Sequence, residues 1–113
     1  MDTKFRYAIK FVADMDKALA FYRDTMGLTV RFATPEWSEF DTGDVTLALH
    51  PASEANPAGQ VEIGFSTENL AKTYADRASG GLEFIEAPRL EHGTLLSRIV
   101  DSEGAGVSLS GKP

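Results

Sequence analysis

The sequence contains no cysteine among its 113 residues and only two histidines, His50 and His92. The lack of cysteine excludes disulfide bonds, thiolate metal ligands and a cysteine nucleophile, and it is typical of a reducing compartment. No apolar run is long enough to cross a bilayer, and no basic and apolar leader opens the chain. We therefore expect a cytoplasmic protein without a membrane partner.

Positive charge is also scarce. Eleven lysines and arginines stand against 17 acidic residues, which gives a formal net charge of -6. A field of that sign repels a phosphate backbone, so nucleic acid is not expected as a partner. The sequence also lacks a glycine-rich phosphate loop, a metal-binding HxxxH pair and a basic stripe. The negative net charge weakly favours a neutral or cationic ligand. We prefer the interpretation that this charge only keeps the protein soluble.

The residues that are present are typical of a globular domain. Hydrophobic residues make up 42% of the chain and charged residues 25%, which are ordinary values for a soluble protein. A chain of this length can build one hydrophobic core but not two independent ones. We therefore interpret residues 1–113 as a single domain.

The first half of the sequence predicts a strand, a helix and three further strands. Residues 5–12 alternate apolar and polar side chains, which indicates a strand. Asp14 can then cap a helix that Gly27 ends. The apolar face of this helix is formed by Met15, Ala18, Leu19, Tyr22 and Met26. The remaining strands are expected at 28–33, 37–40 and 45–49.

The second half repeats this order. A strand at 61–66 precedes a helix that Asn69 caps, and strands follow at 82–85, 95–100 and 106–109. Asp14 aligns with Asn69, and Gly27 aligns with Gly81, so the helix cap and the helix stop agree between the halves. Residues 51–59 show no periodicity and are interpreted as a linker. The chain therefore consists of two β-α-β-β-β modules, at about 5–50 and about 60–110.

These modules predict an α+β fold in which the two βαβββ modules form a curved mixed sheet around a central cup, with the helices outside. One module cannot bury its helix and its sheet alone, whereas two can. Since side chains alternate along a strand, each strand has a core side and a cup side. The core side is expected to carry Val45, Leu47, Leu49, Val61, Ile63 and Phe65. The cup side is expected to carry Tyr7, Ile9, Phe11, Thr46, Ala48, His50, Glu62, Gly64, Ser66, Ser108 and Ser110.

Three segments resemble a known family. VADMDKALAFYRDTMGLTV looks like the first strand-helix-strand of the vicinal oxygen chelate superfamily, which contains glyoxalases, bleomycin-resistance proteins and extradiol dioxygenases. EFDTGDVTLALHP and RIVDSEGAGVSLSG look like the closing hairpins of its two modules. The resemblance covers almost the whole chain and implies the fold. It does not imply one reaction, because members include isomerases, lyases, dioxygenases and drug-sequestering proteins.

The resemblance also implies where a metal would bind. Enzymes of the superfamily hold a divalent ion through His, Glu or Gln on the first, fourth, fifth and eighth strands, and the ion polarises substrate oxygens. The matching positions here are Tyr7, Ala48, Glu62 and Ser108. Only Glu62 is an ordinary ligand, and one carboxylate does not make a site. We therefore expect no metal and no other cofactor.

Two candidate site residues are open to more than one interpretation. Trp37 shares a strand face with Glu39, and an indole beside a carboxylate suits a flat cationic or heteroaromatic ligand. Trp37 could equally seal a hydrophobic edge or a dimer interface. His50 could reach a ligand at the rim of the cup, but a solvated strand end is the preferred interpretation. His92 is expected in a surface turn.

The leading hypothesis is a metal-independent protein that binds a small organic molecule and sequesters an aromatic or cationic compound, as the bleomycin-resistance branch does. The alternative is a lyase or isomerase with a displaced metal site or none, in which Glu62 is the general base and His50 an acid or ligand. A sensor or partner-binding subunit is a third possibility. A homodimer is expected, because a second subunit could cover exposed sheet edges. The predicted ligand-binding residues are Tyr7, Ile9, Phe11, Trp37, Glu39, Ala48, His50, Glu62 and Ser108.

Overall fold

The computed structural model describes all residues, Met1–Pro113, and confirms the α+β fold class. The first half contains β1 (Thr3–Val12), α1 (Met15–Ala20), a π-helical segment (Phe21–Thr25), β2 (Thr29–Phe32), β3 (Ser38–Asp41) and β4 (Thr46–Pro51). The second half contains β5 (Val61–Thr67), α2 (Leu70–Ala75), α3 (Arg77–Gly80), β6 (Phe84–Glu91), β7 (Thr94–Val100) and β8 (Gly106–Gly111). Both halves follow the predicted β-α-β-β-β order. None of the helices has the length and apolar character needed to cross a lipid bilayer.

The chain divides into two compact units. The N-terminal unit is Arg6–Glu62, and the C-terminal unit is Ile63–Pro113 together with Met1–Phe5. In the N-terminal unit the strands run in the order β2-β3-β4-β1, and only β1 and β4 are parallel. In the C-terminal unit the order is β5-β8-β7-β6, and only β5 and β8 are parallel. The two units therefore share one pairing pattern, as an internal repeat requires.

The helix side of the N-terminal unit holds a hydrophobic core. Phe40 of β3 and Leu49 of β4 are fully buried and pack against Leu19 of α1. Asp14 starts α1 as predicted, because its carboxylate accepts a hydrogen bond from the backbone N–H of Lys17 at 3.1 Å. The core is completed by Val12, Met15, Ala18, Tyr22, Leu28, Val30 and Leu47. The predicted core positions of Leu47 and Leu49 are confirmed.

The prediction for Met26 is wrong. Its side chain is 55% exposed, although it stands at helical spacing from Leu19 and Tyr22. The reason is that the helix widens after Ala20 into a π-helical segment, in which Met26 N–H donates to the carbonyl of Phe21 at 3.0 Å. A wider turn shifts every following side chain around the helix axis, so Met26 leaves the apolar face.

The predicted core positions of Val61 and Ile63 are also wrong. Val61 is 54% exposed and Ile63 is 41% exposed. The helices pack elsewhere, α1 over β4 and α2 over β6 and β8. An alternating strand shows which side chains share a face, but it does not show whether a helix of the same chain covers that face.

The sixth strand is longer than its predicted range of 82–85. β6 continues through Pro88 to Glu91 and forms an antiparallel hairpin with β7. Proline is tolerated because β6 is the last strand of its unit, where a missing N–H breaks no ladder bond. His92 and Gly93 form the hairpin turn with φ values of 49° and 81°. This two-residue turn with positive φ agrees with the surface turn predicted for His92.

Gly111 is expected to be intolerant of any side chain. A Cβ atom built there would lie 2.8 Å from Leu70 Cβ and 3.0 Å from the Thr67 carbonyl oxygen, where α2 approaches β8. Because neither neighbour is a flexible side-chain end, Gly111→Ala should lower the free energy of unfolding by about 1–3 kcal/mol. Urea denaturation measures this loss, with Gly80→Ala as the matched control. Gly80 has open space around its Cβ position, so equal losses in both variants would contradict the packing argument.

Candidate functional site

The side of the N-terminal unit opposite the core carries a second apolar cluster. The parallel register of β1 and β4 places Ile9 beside Ala48 and Phe11 beside His50. Ile9, Phe11 and Ala48 are buried, and Tyr7, Trp37 and Ala52 pack against them. This arrangement agrees with the side of the strand that alternation predicts for these residues. We refer to Tyr7, Phe11, Trp37 and His50 as the aromatic face.

The rings of the aromatic face contact one another edge to face. Trp37 lies with its ring centroid 6.1 Å from that of Tyr7 and 6.2 Å from that of His50. Phe11 and His50 are 5.6 Å apart, and all three pairs have interplanar angles between 66° and 79°. Such geometry is favourable for aromatic quadrupoles. The face is therefore an ordered array of rings packed on the buried apolar side chains of Ile9 and Ala48.

A carboxylate fixes the orientation of the indole. Trp37 Nε1–H donates to Glu39 Oε2 at 2.7 Å, and the Glu39 side chain is only 11% exposed. A buried carboxylate is costly unless it is paired. Glu39 is paired, because Arg31 Nη1 donates to its Oε1 atom at 3.0 Å. The pairing that the sequence predicts between Trp37 and Glu39 is thus part of a three-residue chain.

Arg31 is the residue of this site that sequence reasoning missed. The same Nη1 donates to Thr46 Oγ1 at 3.0 Å, and Nη2 lies 3.7 Å from Asp41 Oδ1. The register of β2 and β3 shifts between Val30 and Phe32, so Arg31 is an extra residue opposite Glu39. Bulges of this kind re-aim a side chain. The one signal in the sequence for the contact between Arg31 and Glu39 is that their opposite charges lie on adjacent predicted strands.

The charges of Glu39 and Arg31 affect the pKa of the Tyr7 phenol. Burial is the largest cause that raises the pKa of its phenol above the usual value of 10.0, and the negative charge of Glu39 raises it further. The positive charges of Arg31 and Arg6 act in the opposite direction. Burial and a nearby anion both disfavour the phenolate. Tyr7 therefore stays protonated at neutral pH and can act as a hydrogen-bond donor.

His50 has a defined tautomer when it is neutral. Its Nδ1 atom lies 2.8 Å from the carbonyl oxygen of Pro51. Because a carbonyl can only accept, the proton is on Nδ1 and the lone pair is on Nε2. The side chain is exposed at the end of β4. His50 can therefore offer an acceptor atom to a ligand on the aromatic face.

The two remaining predicted site residues lie on β5 and β8. Glu62 is buried near the start of β5. Ser108 belongs to the C-terminal unit, where it is paired in register with Gly64 on β5 and Arg98 on β7. Both Glu62 and Ser108 have interaction partners.

The residues present do not fit the divalent ion of the superfamily's enzymes. Of the four matching positions, Ala48 has no donor atom, and the neutral oxygens of Tyr7 and Ser108 are poor ligands for such an ion. Glu62 supplies a single carboxylate. No group of three or more His, Asp or Glu side chains is arranged to hold a metal.

The fold and the site define a small α+β protein of repeated βαβββ modules. The sequence model of one protein family, the Glyoxalase/Bleomycin resistance protein/Dioxygenase superfamily, matches residues 4–108 of this chain. The chain therefore belongs to this superfamily, as its sequence motifs indicate. A search of curated proteins finds no match.

Solved structures show the same fold at low sequence identity. A hypothetical protein from Bacillus halodurans C-125 matches with a TM-score of 0.78 and 16% identity, over 100% of this chain and 96% of that one. A superfamily member from Vibrio splendidus 12B01 matches with a TM-score of 0.73 and 13% identity, over 99% and 100%. A variant of Streptomyces coelicolor methylmalonyl-CoA epimerase, in complex with 2-nitronate-propionyl-CoA, matches with a TM-score of 0.75 and 18% identity, over 96% and 94%. These likenesses establish the fold alone.

Proposed function

We propose that this protein binds a flat aromatic organic compound on the aromatic face without the help of a metal ion. The observation that carries the proposal is the ring array around Trp37, whose indole is fixed by its hydrogen bond to Glu39. Aromatic side chains contribute large contact areas with few rotatable bonds. Binding to a surface that is already ordered loses less conformational entropy.

The apolar support of the rings favours the same proposal. Ile9 and Ala48 are buried and apolar, and the rings of Tyr7 and Trp37 pack against them. His50 Nε2 can accept a hydrogen bond from a ligand, and the Tyr7 hydroxyl can donate one. A mostly apolar surface with a few orienting polar groups is typical of small-molecule sites.

An enzyme of the superfamily is the second candidate, and one observation favours it. The Pro51 carbonyl holds the neutral His50 ring with its Nε2 lone pair available, which is the state that a general base requires. The Nδ1 atom of His50 is hydrogen-bonded to a backbone carbonyl and not to a carboxylate that could stabilise the protonated ring. We therefore place sequestration first. In that function the ligand leaves the protein chemically unchanged, and mass spectrometry of the recovered ligand separates it from turnover.

Calorimetric titration with a naphthol tests the proposal, with the saturated decalol of the same carbon skeleton as the control ligand. We expect saturable naphthol binding with a dissociation constant below about 1 mM, equal to about -4 kcal/mol. The decalol should bind at least about tenfold more weakly, because it cannot stack. Trp37 is the only tryptophan, so its fluorescence should change with the same saturation curve. Equal affinities for both compounds, or no naphthol binding, would reject the proposal.

A further inference from the structure

We propose that Arg31 sets the charge preference of the aromatic face, so that the face takes uncharged flat aromatic compounds in preference to cationic ones. This inference rests on the proposed function, because it names the class of compound that the same face binds. Arg31 acts through Glu39, so it is a positioning residue for Trp37 as well.

The charge of Glu39 is already balanced inside the protein. Its two oxygens accept from Arg31 Nη1 at 3.0 Å and from Trp37 Nε1 at 2.7 Å. A hydrogen bond between charged groups is stronger than one between neutral groups. A cationic ligand near Trp37 would therefore meet an ion pair rather than a free carboxylate, and it would lose hydration without gaining a counter-ion.

The same face without Arg31 would have the opposite preference. An indole next to an unpaired and poorly hydrated carboxylate attracts cations through both the ring quadrupole and the negative charge. That combination is what Trp37 and Glu39 alone suggest. Asp41, which also lies near Arg31, is 62% exposed, so solvent and salt screen it.

Arg31 is held in place and cannot easily release Glu39. Its Nη1 also donates to Thr46 Oγ1 at 3.0 Å, and Thr46 is buried on β4. The bulge in β2 fixes the backbone of Arg31 opposite Glu39. Because the guanidinium bridges β3 and β4, the neutralised state of Glu39 is part of the folded structure and not a chance surface contact.

The test compares the affinities of a neutral naphthol and the cationic methylquinolinium for the wild type and for Arg31→Leu. The wild type should bind the naphthol more tightly. In Arg31→Leu the ratio of the two affinities should shift toward the cation by at least about fivefold, because a charge within a few ångströms is unmasked. This shift should shrink in high salt. Arg23→Leu is the matched control, because Arg23 pairs with Asp24 on the exposed π-helical segment. Its replacement removes the same positive charge as Arg31→Leu.

Spectrophotometric titration of the Tyr7 phenol gives a readout that a merely structural role would not move. Arg31 lowers and Glu39 raises the pKa of this phenol. The pKa should therefore rise in Arg31→Leu and fall in Glu39→Gln, relative to the wild type. The double variant Arg31→Leu with Glu39→Gln should return toward the wild-type ligand preference. Arg31→Lys keeps the positive charge and should retain most of the wild-type ligand preference. This variant also replaces the leucine variant in the comparison if the leucine variant does not fold.

Two results would overturn the inference, and they are distinguishable from a failure of the proposed function. If folded Arg31→Leu keeps the wild-type affinity ratio and the wild-type Tyr7 pKa, Arg31 does not set the preference. If Arg23→Leu shifts the ratio as much as Arg31→Leu, the effect is one of net charge. If the wild type binds no naphthol at all, the proposed function fails, and the ligand class inferred from it fails with it.

Discussion

Replacing Phe40 with alanine is expected to lower the free energy of unfolding by about 3–5 kcal/mol. Phe40 is fully buried at the centre of the N-terminal core, between Leu19 and Leu49. Its ring also contacts that of Tyr22 at 5.8 Å between centroids. Truncation removes the transfer free energy of the ring and leaves a cavity that α1 and β4 cannot fill without moving. A loss of this size is a large fraction of the stability of a small domain.

Guanidinium denaturation followed by circular dichroism measures this loss, and Phe21→Ala provides the matched control. Phe21 is the same residue type in the same unit, but half of its surface is exposed on the π-helical segment. The control should lose no more than about 1 kcal/mol. If both phenylalanines cost the same, the assignment of the core to the helix side of the N-terminal unit is wrong.

Replacing Trp37 with leucine is expected to weaken naphthol binding by at least about tenfold, which equals about 1.4 kcal/mol. The substitution removes the central ring, the one that contacts both Tyr7 and His50. Leucine retains apolar area but has no π-face on which a ligand can stack. Calorimetry is the appropriate measurement, because this variant has no tryptophan fluorescence.

Phe21→Leu is the control for this comparison, since it also removes one aromatic ring from the N-terminal unit, in this case from the π-helical segment. Its affinity for the naphthol should stay within about twofold of the wild type. An unchanged affinity in a folded Trp37→Leu variant would mean that ligands bind elsewhere. Trp37 would then be a packing residue, which is the other interpretation that its sequence position allows.

The fold could be predicted because several local signals agree along the chain. The capping carboxylate of Asp14, the capping amide of Asn69 and the positive φ of Gly27 and Gly81 all occur where the sequence places them. Each of these signals is local, since it depends on residues within one helical turn. The exposed side chain of Met26 escaped prediction because nothing in a helical spacing pattern signals a change to a π-helical turn.

The candidate site could be predicted only in part. Strand alternation correctly groups Tyr7, Ile9 and Phe11 with Ala48 and His50, because period-two geometry fixes the face of each side chain. The contact of Arg31 could not be predicted in the same way. It depends on a bulge that shifts the β2–β3 register by one residue, and a shift of one residue reverses the face of a side chain.

Membership of the superfamily leaves the reaction open, so the function depends on particular side chains. The four positions that match its metal ligands carry a phenol, a methyl group, a carboxylate and a hydroxyl, at Tyr7, Ala48, Glu62 and Ser108. In place of a ligand set for an ion, the N-terminal unit has an array of rings around a tryptophan held by a neutralised carboxylate. This array favours recognition of an organic compound by contact area and shape.

A crystal structure of the protein grown with a naphthol and a divalent salt tests this account most directly. We predict that the naphthol ring lies against the ring of Trp37 on the aromatic face, and that no ion is held by protein side chains on that face. A divalent ion bound there by three or more side chains, with the naphthol absent, would contradict the account.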